Sequence, residues 1–405
     1  MRYVPSATML SMVVYGGSGL AFAGANLLLA RALPTEQFAL LTLLVALNTL
    51  GYYLAPLGLD GVVMRGRVDL GWPLLRRAAL VAAGVGLATS AVASVAYGLS
   101  APLAALLSCG TAAGGLMLVA SARFQSEQRF AVALALVMSP NAVLLLGALA
   151  TTATGSRTAA LSFDLLTLGL VIAAAIGWAL VLRERRSSAP ALAVPWREAF
   201  VLAGVSGAVM LFVQLERLVI PHVLTLDDLA LFGVLGAIAG SLFRLLQMAV
   251  GFSLLPRLRA AATVLERREL VAGELRFALV ISILGAAAIL ALTPPIERLL
   301  LDGKYHLSIG LLVAALFSGI AKIAHAFARA VATALATPRE LAFVNWAGWL
   351  SAALAIGAAV LGAPWGLTGV VYGIGLGWLA WAVISFAVVM RHLRLPAGVA
   401  AEETP

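Results

Sequence analysis

The chain has 405 residues, 62% of them hydrophobic and only 11% charged, and its 27 Lys and Arg against 18 Asp and Glu give a formal net charge of +9. Charged residues cluster between apolar runs about twenty residues long, a composition that belongs to a polytopic membrane protein and excludes a soluble one, whose charged surface could not be built from so few ions. The cations lie in loops beside apolar runs, so membrane orientation accounts for them and nucleic acid does not.

Hydropathy and loop punctuation predict twelve membrane spans, near residues 9–30, 38–59, 77–98, 101–122, 130–150, 161–182, 198–221, 229–256, 275–293, 307–336, 341–362 and 366–390. The first run is too long for a cleaved leader and reads as a retained helix. Cys109, the single cysteine, rules out an intrachain disulfide framework and reads as a small packed residue in span 4. The run in span 10 is long for one crossing.

With the N-terminus inside, 20 cations fall in cytoplasmic segments and four (Arg31, Arg157, Arg298 and Lys304) on the outer side, while Arg217, Arg244 and Lys322 remain at membrane depth. This asymmetry places both termini in the cytoplasm of a bacterial inner membrane. Two outer turns read alike, "LPTEQFALL" from Leu33 and "LTLDDLALF" from Leu224, at an offset of 191 that carries on without a gap. The expected architecture is all-α, with about twelve transmembrane helices in two six-helix bundles around a central cleft: residues 1–190 form the first bundle and 191–405 the second.

Polar residues within the spans follow helical spacing. Span 1 carries a small-residue stripe, Gly16, Gly19, Ala23, Asn26 and Ala30; span 7 aligns Ser206, Met210, Gln214, Arg217 and Pro221, with Glu216 about 100° round the helix from Arg217. Span 8 runs Gly233, Gly236, Gly240, Arg244, Gln247 and Gly251, and span 10 sets Ser318, Lys322, His325, Arg329 and Thr333 on one face. Glycine stripes are ordinarily close helix packing, Arg217 and Arg329 sit near enough to span ends to snorkel, and a lone interior histidine is ordinarily hydrogen-bonded. Asn26, Asn48, Asn141 and Asn345 are expected to hydrogen-bond between helices.

Lys322 and Arg244 resist such readings, because each falls mid-span and costs about 3 kcal/mol to insert facing lipid. The acids within spans are few, Glu216 and, near the outer end of span 6, Asp164. They cannot neutralise all the cations, and the excess implies a hydrated electropositive cavity suited to an anionic ligand. Structural ion pairing remains the plainer use of these cations.

The sequence has no glycine-rich phosphate loop, no histidine pair at zinc spacing and no serine nucleophile motif, so neither an enzyme nor a metal or organic cofactor is expected. Asp227 with Asp228 opens a predicted helix and reads as a cap.

The segments "LLLARALPTEQFALLTLLVALNTLGYYLAPLGLDGVVMR" and "LERLVIPHVLTLDDLALFGVLGAIAGSLFRLLQMAVGFSLLPRL" resemble hairpins of the polysaccharide-type lipid flippases, the O-antigen and exopolysaccharide transporters. These belong to the superfamily of multidrug, oligosaccharidyl-lipid and polysaccharide exporters. The resemblance covers the opening two helices of each half, and Glu216 with Arg217 matches the family's acid–base pair on span 7, where aspartate is commoner. It implies two bundles around a cationic cavity that opens alternately to either face, turning a polyprenyl-diphosphate-linked oligosaccharide to the outer leaflet.

Substrate-binding residues would then be Arg217, Arg244, Lys322, His325 and Arg329, and a coupling proton or sodium ion would use Glu216 or Asp164. Expected partners are the anionic lipid-linked glycan, membrane lipids and other envelope polysaccharide assembly proteins. The absence of a central cation in the first half departs from a symmetric cavity. Alternatives are a drug or metabolite antiporter of the same fold, and a polytopic enzyme or scaffold of envelope glycan synthesis.

Overall fold

A computed structural model describes residues 7–65, 68, 71–183, 194–240, 243, 258, 261 and 263–393. Its helices are α1 (Ala7–Ala32), α2 (Thr35–Leu54), α3 (Leu59–Met64), α4 (Trp72–Tyr97), α5 (Ala101–Ser126), α6 (Phe130–Thr154) and α7 (Ala159–Arg183), then α8 (Trp196–Val223), α9 (Leu226–Leu235), α10 (Val264–Leu299), α11 (Ile309–Leu335), α12 (Pro338–Gly362) and α13 (Gly366–His392). Among the described residues there is no strand. Nine helical stretches there are long and apolar enough to cross a bilayer, the last, Arg339–His392, taking in both α12 and α13. The all-α polytopic class follows directly.

Eleven of the predicted spans coincide with α1, α2, α4 to α8 and α10 to α13; the twelfth, 229–256, is described only in its first part. There α9 gives way to a π-helical turn, Gly236–Gly240, and Arg244, Gln247, Gly251 and Pro256 lie outside the described residues. Of the predicted pair Asp227 and Asp228, Asp228 takes part in the cap, whose N-cap residue is Thr225: the Asp228 carboxylate accepts from the Thr225 backbone N–H while the Thr225 hydroxyl accepts from Asp228 N–H, a reciprocal capping box. Span 10 is one continuous helix of 27 residues.

Two boundaries differ from expectation for identifiable reasons. Span 2 breaks after Leu54, because Pro56 withholds an N–H and the chain turns through Leu57 at φ 45° and Gly58 at φ 81° before α3 resumes. Glycine is required at residue 58: besides its left-handed φ, a Cβ there would collide with the Ala199 carbonyl of α8. Span 9 lies inside a longer helix, the 36-residue α10, whose charged first turns begin well before the apolar run.

The described residues fall into two compact units. Unit 1 takes residues 1–237 with 299–305, and unit 2 takes 238–298 with 306–405. These are units of packing and do not follow the repeat-based boundary at 190–191, since α8 and α9 pack on α2. The repeat itself is visible in the elements: α1 and α8 end at residues 32 and 223, and α2 and α9 begin at 35 and 226, the offset of 191 found in the sequence.

Unit 1 is held by α1 on α6, α5 on α4 and α7, and α2 against α5, α8 and α9. Asn141 donates to Ser18 Oγ at 2.7 Å, joining α6 to α1 as expected of an intramembrane asparagine. Asn26, by contrast, donates to Phe22 O of its own helix. Cys109 is exposed on α5 rather than packed as expected. The outer segment 299–305 closes on the α1–α2 turn: Lys304 Nζ donates to the carbonyls of Ala30 and Leu33, and Arg31 pairs with Asp302 at 2.8 Å. An ammonium on the last carbonyls of a helix neutralises acceptors that no backbone N–H reaches. Partial burial holds the Lys304 ammonium below the usual lysine range.

In unit 2, α13 is the central helix, packed on both α11 and α12. Glycines set the spacing, with Gly362 and Gly373 against the backbones of Gly369 and Ala358, and Gly348 under the Trp381 ring.

Candidate functional site

The sequence-predicted residues fall into two places, one in each unit. In unit 1, α8 buries Gln214, Glu216 and Arg217, with the arginine only 7% exposed. Arg217 is not snorkelling: its Nη1 donates to Gln214 Oε1 at 2.8 Å, three residues back on the same face. Its other terminal nitrogen lies 3.3 Å from where a Cβ on Gly236 would stand, so the π-helical turn after α9 leaves room for the guanidinium. Pro221, one turn further on, cannot bond the Arg217 carbonyl. Asp164, offered with Glu216 for ion coupling, is exposed on α7. These two acids therefore differ sharply in environment.

In unit 2 the face predicted on span 10 exists as drawn. Ser318 and His325 are buried on α11, Lys322 and Arg329 are half-buried, and Thr333 is exposed, its hydroxyl donating to Arg329 O. What faces them is aromatic. His325 stacks on Trp381 with ring centroids 3.9 Å apart and lies 5.3 Å from the Trp378 ring, while Lys322 Nζ stands 5.9 Å from the Trp378 centroid, at the outer limit of a cation–π contact. Trp381 is itself fixed, donating its indole N–H to Val344 O of α12 at 2.9 Å.

His325 is only 2% exposed, and among the described residues neither ring nitrogen has a hydrogen-bond partner. The ordinary expectation of a hydrogen-bonded interior histidine is not met, and the imidazole is held by ring contact alone. Leaving such groups unsatisfied costs about 1–3 kcal/mol each. Arg244, assigned to the same substrate-binding set, lies outside the described residues.

Acids are scarce in the spans of this part of the chain. The sequence holds no Asp or Glu anywhere in spans 8 to 12, and the acid at the start of α12, Glu340, sits in the first turn. There its carboxylate accepts from Thr337 N–H at 2.8 Å and from the Thr337 hydroxyl, and meets His392 Nε2 at 2.9 Å. The Thr337 backbone and hydroxyl, with His392 adding to them, hold Glu340 at a pKa of about 2. It is engaged at the helix end by Thr337 and His392.

Sequence reasoning did not single out Trp378 and Trp381 as the aromatic backing of this face. Their spacing of three on α13 was the available signal, since it puts both rings on one side of a helix.

No family model matches the chain, and no curated protein matches it in sequence. Solved structures do. An inward-facing multidrug resistance MATE family transporter of the MOP superfamily aligns over 97% of this chain and 100% of its own, at a TM-score of 0.65 and 12% identity. The lipid II flippase MurJ, in an inward closed conformation, aligns over 94% of this chain and 87% of its own, at 0.66 and 12%. A eukaryotic MATE transporter aligns over 95% of each chain at 0.59 and 14%. The chain therefore has the fold of the exporter superfamily that includes multidrug MATE transporters and the MurJ flippase.

Proposed function

We propose that this chain is a transporter of the cytoplasmic membrane that moves an amphiphilic anion by alternating access, and that its substrate is a polyprenyl-diphosphate-linked oligosaccharide. The observation that carries this reading is the α11 face: Lys322, His325 and Arg329 in register at membrane depth, on a helix that has no Asp or Glu. A cationic face at membrane depth suits an anionic ligand. Lys322 would act as a movable point charge on phosphate, and Arg329 would grip two phosphate oxygens at once. His325, stacked between them, orders the face. Glu216, buried beside Arg217, is the better placed acid for a coupling ion, and no cofactor is called for.

Similarity in fold to a lipid II flippase supports a lipid-linked substrate, and similarity to multidrug transporters supports the second reading, a drug or metabolite antiporter. Export of cationic drugs wants acids in the membrane, and spans 8 to 12 have none.

The deciding experiment is flipping of a fluorescent lipid-linked oligosaccharide in proteoliposomes. Lys322→Ala and Arg329→Ala should each slow it by about tenfold or more, the loss of one charge-assisted contact. Unchanged rates in both would remove the phosphate-binding role.

A further inference from the structure

We propose that the segment 299–305, between α10 and α11, is a detachable strap: docked on the α1–α2 turn in this structure, it lifts off as a preformed turn and swings on Pro294 and Pro295 when the outer side opens. The moment of release rests on the transport reading; the hinge, the turn and the seat stand on geometry.

The strap lies where the packing changes hands. The chain leaves unit 2 after Arg298, packs with unit 1 through Tyr305 and rejoins unit 2 at His306. Two helices of one unit are therefore joined by a loop seated on a turn of the other. Any movement of α10 and α11 against α1 and α2 must stretch this loop or release it.

Its head is built to travel intact. Asp302 and Gly303 take successive positive φ values of 51° and 71°, and Lys304 N–H donates to Leu301 O at 2.9 Å, a tight turn closed on itself. The neck is closed separately by Glu297, a carboxylate only 9% exposed, which accepts from Leu307 N–H at 2.6 Å and meets His306 Nδ1 at 3.3 Å. Neither closure uses a residue of the seat. Just before the neck, α10 carries Pro294 and Pro295, which have no N–H for the carbonyls of Leu290 and Ala291. Two missing rungs in one helix make the natural place to bend.

The seat, in contrast, is held by contacts that water can replace. Lys304 Nζ donates to the carbonyls of Ala30 and Leu33, and Arg31 pairs with Asp302 at 2.8 Å, but all three charged residues are exposed. An exposed ion pair adds little stability, and carbonyls at a helix end are readily met by water. Leu301 and Tyr305 are the buried foot, the Tyr305 ring lying 6.3 Å from that of Phe38, while Leu299 and Leu300 of the same segment stay exposed. Two apolar side chains thus hold the docked position, and the charged ones fix where it docks.

The test uses the full chain in proteoliposomes, with Cys109→Ser as the background. In Arg31→Cys/Asp302→Cys, a short bifunctional thiol reagent that dithiothreitol cleaves should slow flipping of the fluorescent lipid-linked oligosaccharide by about tenfold or more, and reductant should restore it. Before crosslinking, the same variant should flip within about twofold of the background. Separately, Tyr305→Cys should react with a water-soluble maleimide faster than Val119→Cys, at a fully buried position of α5, and Lys304→Ala should raise that rate by about tenfold, the loss of a charge-assisted contact. Full-rate flipping by the crosslinked protein overturns the strap in favour of a static plug, as does labelling of Tyr305→Cys no faster than that of Val119→Cys. If the uncrosslinked protein flips no lipid, the transport reading fails by itself, while labelling that rises in Lys304→Ala still supports the strap.

Discussion

The seam between α2 and α5 and the seam between α11 and α13 are built by the same device and hide opposite chemistry. In both, glycines let two helices approach: Gly51, Gly110, Gly114 and Gly115 in the first, and Gly375 of α13, which faces Phe317 and Ser318 of α11, in the second. The first seam receives neutral oxygens from Asn48 and Thr111, while the second carries an imidazole and half-buried cations against tryptophan. Small residues govern how close helices come, and what is enclosed is decided separately by the few polar side chains left between them. Similar close approaches of helices thus enclose neutral oxygens in one unit and basic side chains in the other.

The comparison is broken most directly by inverting the charge on the basic side. Lys322→Glu should reduce lipid flipping by about a hundredfold, since a contact worth about 1.5–3 kcal/mol is replaced by repulsion. A rate within threefold of the starting protein would make the two seams functionally equivalent. The next largest effect should come from the aromatic backing. A Cβ on Gly348 would stand inside contact distance of the Trp381 indole, so Gly348→Ala should cost about 1–3 kcal/mol in a reversible unfolding assay and should disturb the histidine stack. Unchanged stability there would show that Trp381 is free to move.

A smaller effect sharpens the point about His325. If its nitrogens are unsatisfied in the resting protein, His325→Phe should keep or raise stability, by up to about 1 kcal/mol, while lowering flipping. A loss of stability beyond about 2 kcal/mol would show a hydrogen bond in solution. The smallest effect concerns the cap at the start of α12. Glu340 is depressed to about 2 in the folded chain, so its contribution is fully present above the ordinary carboxylate value and is lost as pH falls through the folded value. The difference in thermal midpoint between the starting protein and Glu340→Gln should accordingly be widest at neutral pH and shrink below about pH 4. A gap that stays constant down to about pH 3 would mean that the carboxylate's charge is not what the cap uses.

Much of the architecture was legible because bilayer physics acts on composition. Apolar runs located the helices, and the Thr225–Asp228 cap and the repeat offset of 191 both appear in the elements. The break at Leu57 and Gly58 was less visible, since Pro56 announces a turn but the contact with Ala199 that requires glycine is tertiary. At the candidate site, helical spacing gave the face of Ser318, Lys322, His325 and Arg329, because periodicity determines which side chains share a side. It could not give what that side meets: Trp378 and Trp381 belong to a helix about fifty residues later. The expectation of interhelical bonding succeeded for Asn141, whereas Asn26 satisfied itself locally and Asn48 Oδ1 is left unbonded among the described residues. A single sequence does not say which rotamer an asparagine selects.

The packing of α8 and α9 on α2 has a practical corollary for dissecting the protein. Severing the chain in the arginine-rich segment between α7 and α8 would separate two polypeptides at a point where their cores are still shared. Co-produced fragments should find one another through the docking of that second hairpin on the first, whereas the N-terminal fragment made by itself would present the bare flank of α2 and be prone to aggregate.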